Sequence, residues 1–385
     1  MRVLAGAMLL VTASAASLHA QSSQFGVRGL GLPGRGLSAA ALATQGADGL
    51  FDARSSRNPA ALGLLRSSAL VFTSTQAWRT SENPGGSGST REQRFPLVVA
   101  AGPIPRAPLA VGISYSSYAV RDFTIVAEGV DAPRGVPVAV TDTLGSTGGI
   151  NDLRLAGAWQ PTSLLTVGAG VHLITGSNRV FSARSWADTS YLPIRQTTEL
   201  TYAGFGLSAG AVLRPTSRLT LAGTIRHDGS LDVERDSTAV GAIDLPWTLS
   251  GAARLQVGQR LAVSAMIATQ NWAVAHDGLV ALGGAGARNT IEVAGGIELV
   301  RNARRPEHLP LRLGVRHTEL PFLLAEGSQP RELGVSVGTA FRFARDLGGA
   351  DITLERLRRT QGSEYTETAW HLSVGFSMQG VIPSP

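Results

Sequence analysis

The sequence contains no cysteine and no lysine, and past its first twenty residues it has no long hydrophobic run. The lack of cysteine excludes disulfides and thiolate metal sites as sources of stability. The lack of lysine makes arginine the source of all 34 side chains counted as positively charged, which explains much of the pI of 10.5. Because a membrane-spanning helix needs about 20 apolar residues, a chain without such a run can cross a membrane only as β-strands.

The basic residues outnumber the acidic ones, and a net charge of +6 would ordinarily suggest an anionic partner. A nucleic-acid-binding protein, however, needs clustered arginines interleaved with aromatic residues. The arginines of this chain are scattered through turns and strand faces. We therefore expect no nucleic-acid partner.

Residues 1–20 read as a secretory signal peptide. Met1 and Arg2 form a basic start, an apolar stretch runs from Leu4 to Ala16, and Leu18-His19-Ala20 is a small-residue cleavage site. A short membrane anchor is the alternative, but this stretch is shorter than the roughly 20 residues that a spanning helix needs. We expect the mature chain to begin near Gln21, outside the cytoplasm.

Apolar and polar residues alternate with a period of two in about fourteen segments past the leader. From Leu165 to Leu173 the odd positions are apolar and the even ones are threonine, glycine or histidine, and Trp370 to Met378 repeats the pattern. This period is the signature of a strand with one apolar face. Strands are predicted near residues 69–79, 92–102, 108–120, 149–160, 164–176, 197–214, 218–228, 245–257, 260–272, 288–301, 309–318, 331–344, 349–358 and 367–378.

The connections between these segments decide between a soluble sandwich and a membrane barrel. Short turns rich in Pro, Gly, Asp and Ser alternate with long polar joints, and residues 302–308 are an exception. Short periplasmic turns and long outer loops give this pattern in outer-membrane barrels, with lipid against the apolar face and charged side chains in the lumen. The sequence thus predicts an all-β fold: a transmembrane antiparallel up-and-down β-barrel of about 14 strands with a small N-terminal plug, in the bacterial outer membrane.

Two details refine this prediction. Apolar residues in the long third joint, such as Ile125 and Val140, are expected to extend the flanking strands beyond the membrane. Tryptophans near predicted strand ends favour an aromatic girdle at the membrane interface. These are Trp78, Trp159, Trp247 and Trp272.

Residues 21–66 alternate too weakly for a barrel wall and are too apolar for a disordered tail. A plug inside the lumen explains this composition, and the wall then spans residues 67–385. Within the plug, Asn58 is placed to cap a short helix that begins with Pro59 and Ala60.

The run Ser56-Arg57-Asn58-Pro59-Ala60, after a Gly-rich stretch at Gly29 to Gly36, resembles the N-terminal hatch of the long-chain fatty-acid outer-membrane transporter family (FadL-like). Later strands support the resemblance, among them Leu245-Pro246-Trp247 and Leu320-Pro321-Phe322. Related type-nine secretion shuttle barrels share the Asn-Pro-Ala element, so fold transfers better than substrate.

The resemblance implies a passive channel for hydrophobic solutes such as long-chain fatty acids or hydrocarbons, with plug movement and lateral release into outer-membrane lipids. Candidate gate residues are Leu50 and Phe51, with Asn58, Pro59 and Ala60 positioning the plug or simply starting a helix. The alternative is a non-transporting barrel that acts as a secretion partner or surface scaffold. No protein partner can be named.

A wall that releases solute sideways needs a break, and Pro96 in the second strand removes one ladder hydrogen bond. A local bulge or strand edge is the simpler interpretation of Pro96. Lumen arginines could pair with a carboxylate ligand, although lumen acids such as Glu292, Glu298 and Glu355 are simpler partners. These arginines are Arg254, Arg312 and Arg342.

We expect no enzyme activity, metal or cofactor. His371 and Ser373 share a strand face, but they point into the lumen with no third partner, unlike a lipid hydrolase. Gly29 to Gly34 fits a dinucleotide pattern without the strand and helix that the pattern requires. The acids from Asp228 to Asp236 lack the spacing of a calcium loop.

Overall fold

The computed structural model describes residues 23–380, apart from Arg134 and Arg304. The predicted signal peptide and the predicted mature start at Gln21 therefore lie outside the described residues.

Fourteen antiparallel strands form the wall of a closed barrel. Each pairs with its neighbours in the chain, and the last pairs with the first, from Thr366 opposite Glu82 to Gln379 opposite Ala69. The strands are β1 (Ala69–Asn83), β2 (Gly86–Pro103), β3 (Leu109–Val120), β4 (Val138–Trp159), β5 (Leu165–Trp186), β6 (Ile194–Leu213), β7 (Leu219–Arg235), β8 (Trp247–Val257), β9 (Leu261–Gln270), β10 (Thr290–Leu299), β11 (Leu311–Glu319), β12 (Arg331–Phe343), β13 (Gly348–Gln361) and β14 (Tyr365–Gln379).

The predicted barrel of about 14 antiparallel strands is confirmed. Closure gives every wall strand a hydrogen-bonded neighbour on each side, although the ladder between β2 and β3 covers only part of their length. A bilayer favours such closure because its core offers no hydrogen bonds to the backbone. The fourteen predicted segments coincide with the fourteen wall strands, with boundaries that differ mainly at the outer ends.

Alternation along each strand separates two environments, as β9 illustrates. Val263 and Ile267 are exposed on the outer surface, whereas Ser264 and Met266 are buried inside. The same phase places exposed Leu, Val, Ile and Phe side chains around the outside and buried arginines and acids around the lumen. A closed barrel with this apolar outer face points to the bacterial outer membrane, as predicted.

Several strands continue past the membrane at their outer ends. Residues 123–131 form a further strand that pairs with the first part of β4, from Phe123 opposite Ser146 to Asp131 opposite Val138. This confirms the predicted extension of the third joint. A short strand, Thr238–Asp244, pairs in the same way with the end of β7.

Two expectations about the outer side were wrong. Residues 177–186 and 229–235 belong to strands, although their composition predicts irregular loops. Outside the bilayer neither strand face needs to be apolar. The hydrogen-bonded ladder therefore continues where the sequence no longer alternates between apolar and polar residues. Trp272 is not an interface residue: it is 2% exposed and packs edge-to-face on Phe322 at 5.3 Å.

The helices are short and lie in the N-terminal segment and one outer loop. They are Ala39–Leu42 and His276–Ala281, with 3₁₀ turns at Gln24–Gly26, Pro59–Leu64 and Trp272–Ala275. Among the described residues, no helix has the length and apolarity to span a membrane.

Candidate functional site

The N-terminal segment, defined here as residues 23–68, runs from the outer end of the barrel to its periplasmic end. At the outer end, the Ser23 hydroxyl donates to Glu367 of β14 at 2.8 Å. At the periplasmic end, the Ser68 carbonyl accepts from the Gly380 amide at 2.7 Å. Between these points the segment contacts lumen-facing side chains of many strands.

Ion pairs tie the N-terminal segment to lumen acids, a lumen arginine and one periplasmic turn. Most of these side chains are more than four-fifths buried, so the charges are poorly screened by water. The pairs are Arg35–Glu355 (2.7 Å), Asp48–Arg254 (3.0 Å), Arg54–Glu307 (3.0 Å) and Arg57–Glu292 (3.2 Å).

The three candidate lumen arginines lie in one network of alternating charge. Arg254 and Arg312 share Glu298, at 2.6 and 2.7 Å. Arg312 also contacts Asp351 at 3.1 Å, which Arg342 reaches at 3.3 Å. Each guanidinium therefore has a protein carboxylate as its partner, which is the simpler of the two roles considered for these residues.

Leu50 and Phe51 pack together against the wall rather than lining an open space. Their buried cluster includes Val212 of β6 and Met266 of β9. The Asn58 side chain holds this part of the segment in shape, since its amide donates to the Leu50 carbonyl at 2.8 Å.

Asn58, Pro59 and Ala60 form the start of a 3₁₀ turn. Asn58 Oδ1 accepts from the Ala60 amide at 3.0 Å, and Pro59 occupies the first position. This is the arrangement of an N-cap followed by proline. The three residues thus have a structural role in the segment, and the structure brings them close to β5 and β6.

Glycines of the wall let the backbone of the N-terminal segment approach closely. A Cβ atom on Gly168 would lie 2.5 Å from the Ala60 amide nitrogen, and one on Gly314 would lie 2.3 Å from the Thr44 carbonyl carbon. Any side chain at these positions would displace the segment. The glycine content of the chain therefore has a packing cause at the contact between segment and wall.

The ladder between β2 and β3 covers only the periplasmic part of these strands. It begins at Leu97 opposite Ser116 and ends at Pro103 opposite Ala110. Among the described residues, 86–94 of β2 pair with β1, and none of 86–96 has a partner on β3. We call this interruption the wall gap.

Pro96 stands at the lower edge of the wall gap. Proline has no amide hydrogen and so cannot donate to a neighbouring strand. On the other side of β2, the register against β1 shifts at the same point, between Thr73 and Thr75. Both interpretations of Pro96 therefore apply: β2 has a bulge against β1, and its ladder with β3 is interrupted.

A cavity of about 140 Å³, the gap cavity, lies behind the wall gap. Leu32, Leu37 and Leu42 of the N-terminal segment form its inner side, and Pro96 and Ser117 form its outer side. The short strand Leu32–Pro33 also pairs with the outer end of β3, opposite Val120 and Ala119. The cavity therefore lies between the segment and the interruption in the wall.

Charged residues border the gap cavity above Pro96. Glu92 forms ion pairs with Arg79, at 2.6 Å, and with Arg94. Arg94 also contacts Asp122, beyond the end of β3, at 2.8 Å. Sequence reasoning did not single out these four residues, because which polar side chains meet across the gap depends on the strand register.

A larger cavity of about 580 Å³, the mouth cavity, lies at the outer end. Its lining is mainly apolar, with Leu30, Phe123 and Leu279 among its side chains. Arg28, Arg121 and Arg235 also line it. An apolar cavity bordered by guanidinium groups suits an apolar molecule with or without an anionic end.

The remaining sequence candidates do not assemble into sites. Ser373 contacts Thr75 at 2.8 Å, while His371 lines the gap cavity. Gly29 and Gly31 have positive φ values of 58° and 99° in an irregular stretch, not in a nucleotide-binding turn. Within the described residues, no group of three or more His, Cys, Asp or Glu side chains is placed to hold a metal ion.

No family model matches the chain, and no curated protein matches it. Several solved structures, in contrast, match most of the chain. A FadL homologue from Pseudomonas aeruginosa has a TM-score of 0.60 at 14% identity, with 90% of this chain and 99% of that chain covered. The neighbours share the fold of this chain.

Two further neighbours are hydrocarbon channels. The CymD monoaromatic hydrocarbon channel has a TM-score of 0.56 at 14% identity, covering 90% of this chain and 98% of that chain. The P. putida toluene transporter TodX has a TM-score of 0.57 at 13% identity, covering 91% and 99%. At such identities the likeness establishes the barrel architecture.

Proposed function

We propose that this protein is a passive outer-membrane channel for hydrophobic solutes such as long-chain fatty acids or hydrocarbons. A solute enters the mouth cavity, passes the N-terminal segment and leaves sideways through the wall gap into outer-membrane lipids. The observation that carries this proposal is the coincidence of an interrupted ladder with a cavity directly behind it.

The route has a physical rationale. Each methylene group gains roughly 0.8 kcal/mol when it moves from water to an apolar site, so a hydrophobic solute gains by passing between apolar cavities and lipid. A water-filled pore offers it no such gain. Lateral release also delivers the solute directly to the bilayer, its most favourable environment.

The mouth cavity and the neighbouring structures support the solute class. Leu30 and Phe123 offer apolar contacts, and Arg28, Arg121 and Arg235 can face a carboxylate. The Arg121 guanidinium donates to the Val27 carbonyl at 3.4 Å and lies over the Phe123 ring. The neighbours are named as a FadL homologue, a monoaromatic hydrocarbon channel and a toluene transporter.

We also propose that residues 21–66 act as a plug that shifts during transport. In the described part of this stretch, Val27 to Leu30 line the mouth cavity and Leu32 to Leu37 line the gap cavity. Leu50 and Phe51 seat it on the wall, and Asn58, Pro59 and Ala60 hold its local shape. A shift of the segment near Leu32 would join the two cavities.

A disulfide across the wall gap tests the route. The chain has no cysteine, so a Pro96→Cys/Ser117→Cys pair can be introduced without competing thiols. These positions would face each other if the ladder continued one step past Leu97 and Ser116. We expect oxidation to stop uptake of a labelled fatty acid into proteoliposomes, and reduction to restore it.

The matched control is Val99→Cys/Ser114→Cys, which joins two residues already opposite each other in the ladder. Its oxidation should leave uptake unchanged. Uptake that continues through the oxidised Pro96/Ser117 pair would exclude the lateral route.

A fixed, non-transporting scaffold is the second candidate function. The ion pairs from Arg35, Arg54 and Arg57 to the barrel favour it, because they resist movement of the N-terminal segment. Proteoliposomes with and without the protein distinguish the two functions. Equal uptake in both preparations would favour the scaffold.

A further inference from the structure

Three side chains on successive strands form a hydrogen-bonded series inside the lumen. Asp152 lies on β4, His172 on β5 and Ser208 on β6. His172 Nδ1 lies 2.9 and 3.0 Å from the two Asp152 carboxylate oxygens. His172 Nε2 lies 2.8 Å from Ser208 Oγ. All three residues are buried.

This is the order of groups in a nucleophilic triad: hydroxyl, imidazole and carboxylate. Because a carboxylate only accepts hydrogen bonds, its contact assigns the imidazole proton to Nδ1 and leaves Nε2 as the acceptor toward Ser208. His172 is then placed to take the hydroxyl proton as Ser208 attacks, and Asp152 is a positioning residue that orients the ring.

The neighbouring Arg226 completes the arrangement. It stands directly opposite Ser208 in the ladder between β6 and β7. Arg226 Nη1 donates to Asp152 at 2.7 Å, and Nε donates to Asp228 at 2.7 Å. Its Nη2 is buried and has no hydrogen-bond partner among the described residues. A free, buried donor beside a nucleophile can stabilise the negative charge that develops on a carbonyl oxygen.

The triad borders a cavity of about 90 Å³, which is distinct from the two cavities described above. Asp152, His172, Ser208 and Arg226 all line it. The stretch from Pro33 to Gly36 separates it from the gap cavity, since those residues line both. A small ester group held in this cavity would lie next to Ser208.

We propose that Ser208, His172 and Asp152 form an active site that hydrolyses small carboxylic esters. The Ser208 Oγ bonds to the carbonyl carbon as its proton moves to His172 Nε2. The ester C–O bond then breaks, and the alcohol leaves with that proton. Water, deprotonated by His172, next attacks the acyl group, and the acid leaves as the Ser208 hydroxyl is restored. This activity does not depend on the transport proposal.

A fluorophosphonate reagent tests the nucleophile directly, because it phosphonylates an activated serine with loss of fluoride. The full mature chain in detergent micelles is treated, digested and mapped by mass spectrometry. We expect modification at Ser208 and its absence in Ser208→Ala. The His172→Gln variant should react at least roughly 100-fold more slowly, because general-base assistance is lost. Phenyl acetate hydrolysis should fall in parallel.

The matched control is Ser264→Ala, which removes a lumen-facing hydroxyl on β9 that donates to the Gly296 carbonyl at 3.4 Å. It should leave labelling and hydrolysis unchanged. Heat-dependent migration in electrophoresis verifies that each variant forms a barrel. If Ser208→Ala does not fold, the position of the label in the unaltered chain tests the proposal. Absence of label at Ser208 in the folded chain, or equal labelling in His172→Gln, would overturn the proposal.

Discussion

Arg94 Nη2 lies 2.8 Å from Asp122 Oδ2, and this ion pair spans the interval in which β2 and β3 have no common ladder. Asp122 also accepts from the amide of Gly148, on β4. One side chain thus connects the unpaired part of β2 to the strands on the far side of the wall gap.

Removal of this ion pair should widen the wall gap. Both side chains are about one-fifth exposed, so the pair is worth about 1 kcal/mol, which corresponds to about a fivefold change in an opening equilibrium. We expect Arg94→Ala to take up a labelled fatty acid a few-fold faster than the unaltered protein in proteoliposomes. Arg184→Ala, which removes the Asp142 ion pair on the outer hairpin, is the control with unchanged uptake. Slower uptake by Arg94→Ala would contradict the role given to this pair.

A side chain at Gly314 should push the N-terminal segment off the wall. The added Cβ would lie 2.3 Å from the backbone at Thr44, which cannot yield as a flexible side chain could. We expect Gly314→Val to expose the segment to protease and to lower the melting temperature in detergent. Gly251→Ala adds a Cβ with no atom within 4 Å and should behave as the unaltered chain does. Equal protease resistance in the two variants would mean that the close contact at Gly314 is unimportant.

The cap at Asn58 should contribute to holding the segment. Asn58→Ala removes both the acceptor for the Ala60 amide and the donor to the Leu50 carbonyl. Loss of such a cap costs about 1 kcal/mol, and the freed buried carbonyl adds to that loss. We expect faster amide exchange in residues 50–62 and a smaller effect for Asn58→Ser, which retains a capping oxygen. Unchanged exchange in both variants would exclude this role.

Acid should weaken the periplasmic anchor of the segment at Glu307. Burial raises the pKa of this carboxyl, but Arg54 and Arg342 outweigh burial and hold the pKa below its usual range. The stabilisation is therefore fully present above the pKa of an ordinary glutamate, near 4.3, and is lost as the pH falls through the lowered value in the folded protein.

Thermal melts across this range check the sign. Glu307→Gln should melt below the unaltered chain at pH 7, and the difference should disappear near pH 3. Glu326→Gln, at an exposed position in an outer loop, supplies the control and should melt as the unaltered chain does at pH 7. A difference for Glu307→Gln that grows on acidification would refute the assigned sign.

The wall could be predicted from the sequence because lipid requires apolar side chains on one face of each strand. The strands are longer than predicted where that requirement ends, as in the part of β5 near Phe181 and Trp186. Trp272 was misplaced because a position near a strand end does not reveal which side of the wall a ring takes. Its partner Phe322 comes from a distant loop.

The sites depend on register, which residue types alone do not reveal. Pro96 is a visible signal for a disturbed ladder, yet the ion pair from Arg94 to Asp122 requires knowledge of where β3 ends. Asp152, His172 and Ser208 each occupy the polar face of a predicted strand. Their meeting depends on diagonal offsets between β4, β5 and β6, such as Arg154 opposite His172.

The pairing of β14 with β1 has a consequence for the order of biogenesis. Glu355 contacts Arg35 and Glu367 contacts Ser23, and these two acids lie on β13 and β14, which are made after the other wall strands. The N-terminal segment therefore cannot form these contacts until β13 and β14 have been made. Closure of the barrel and docking of the N-terminal segment therefore become one cooperative step. A chain truncated before β13 should neither close the barrel nor dock the segment.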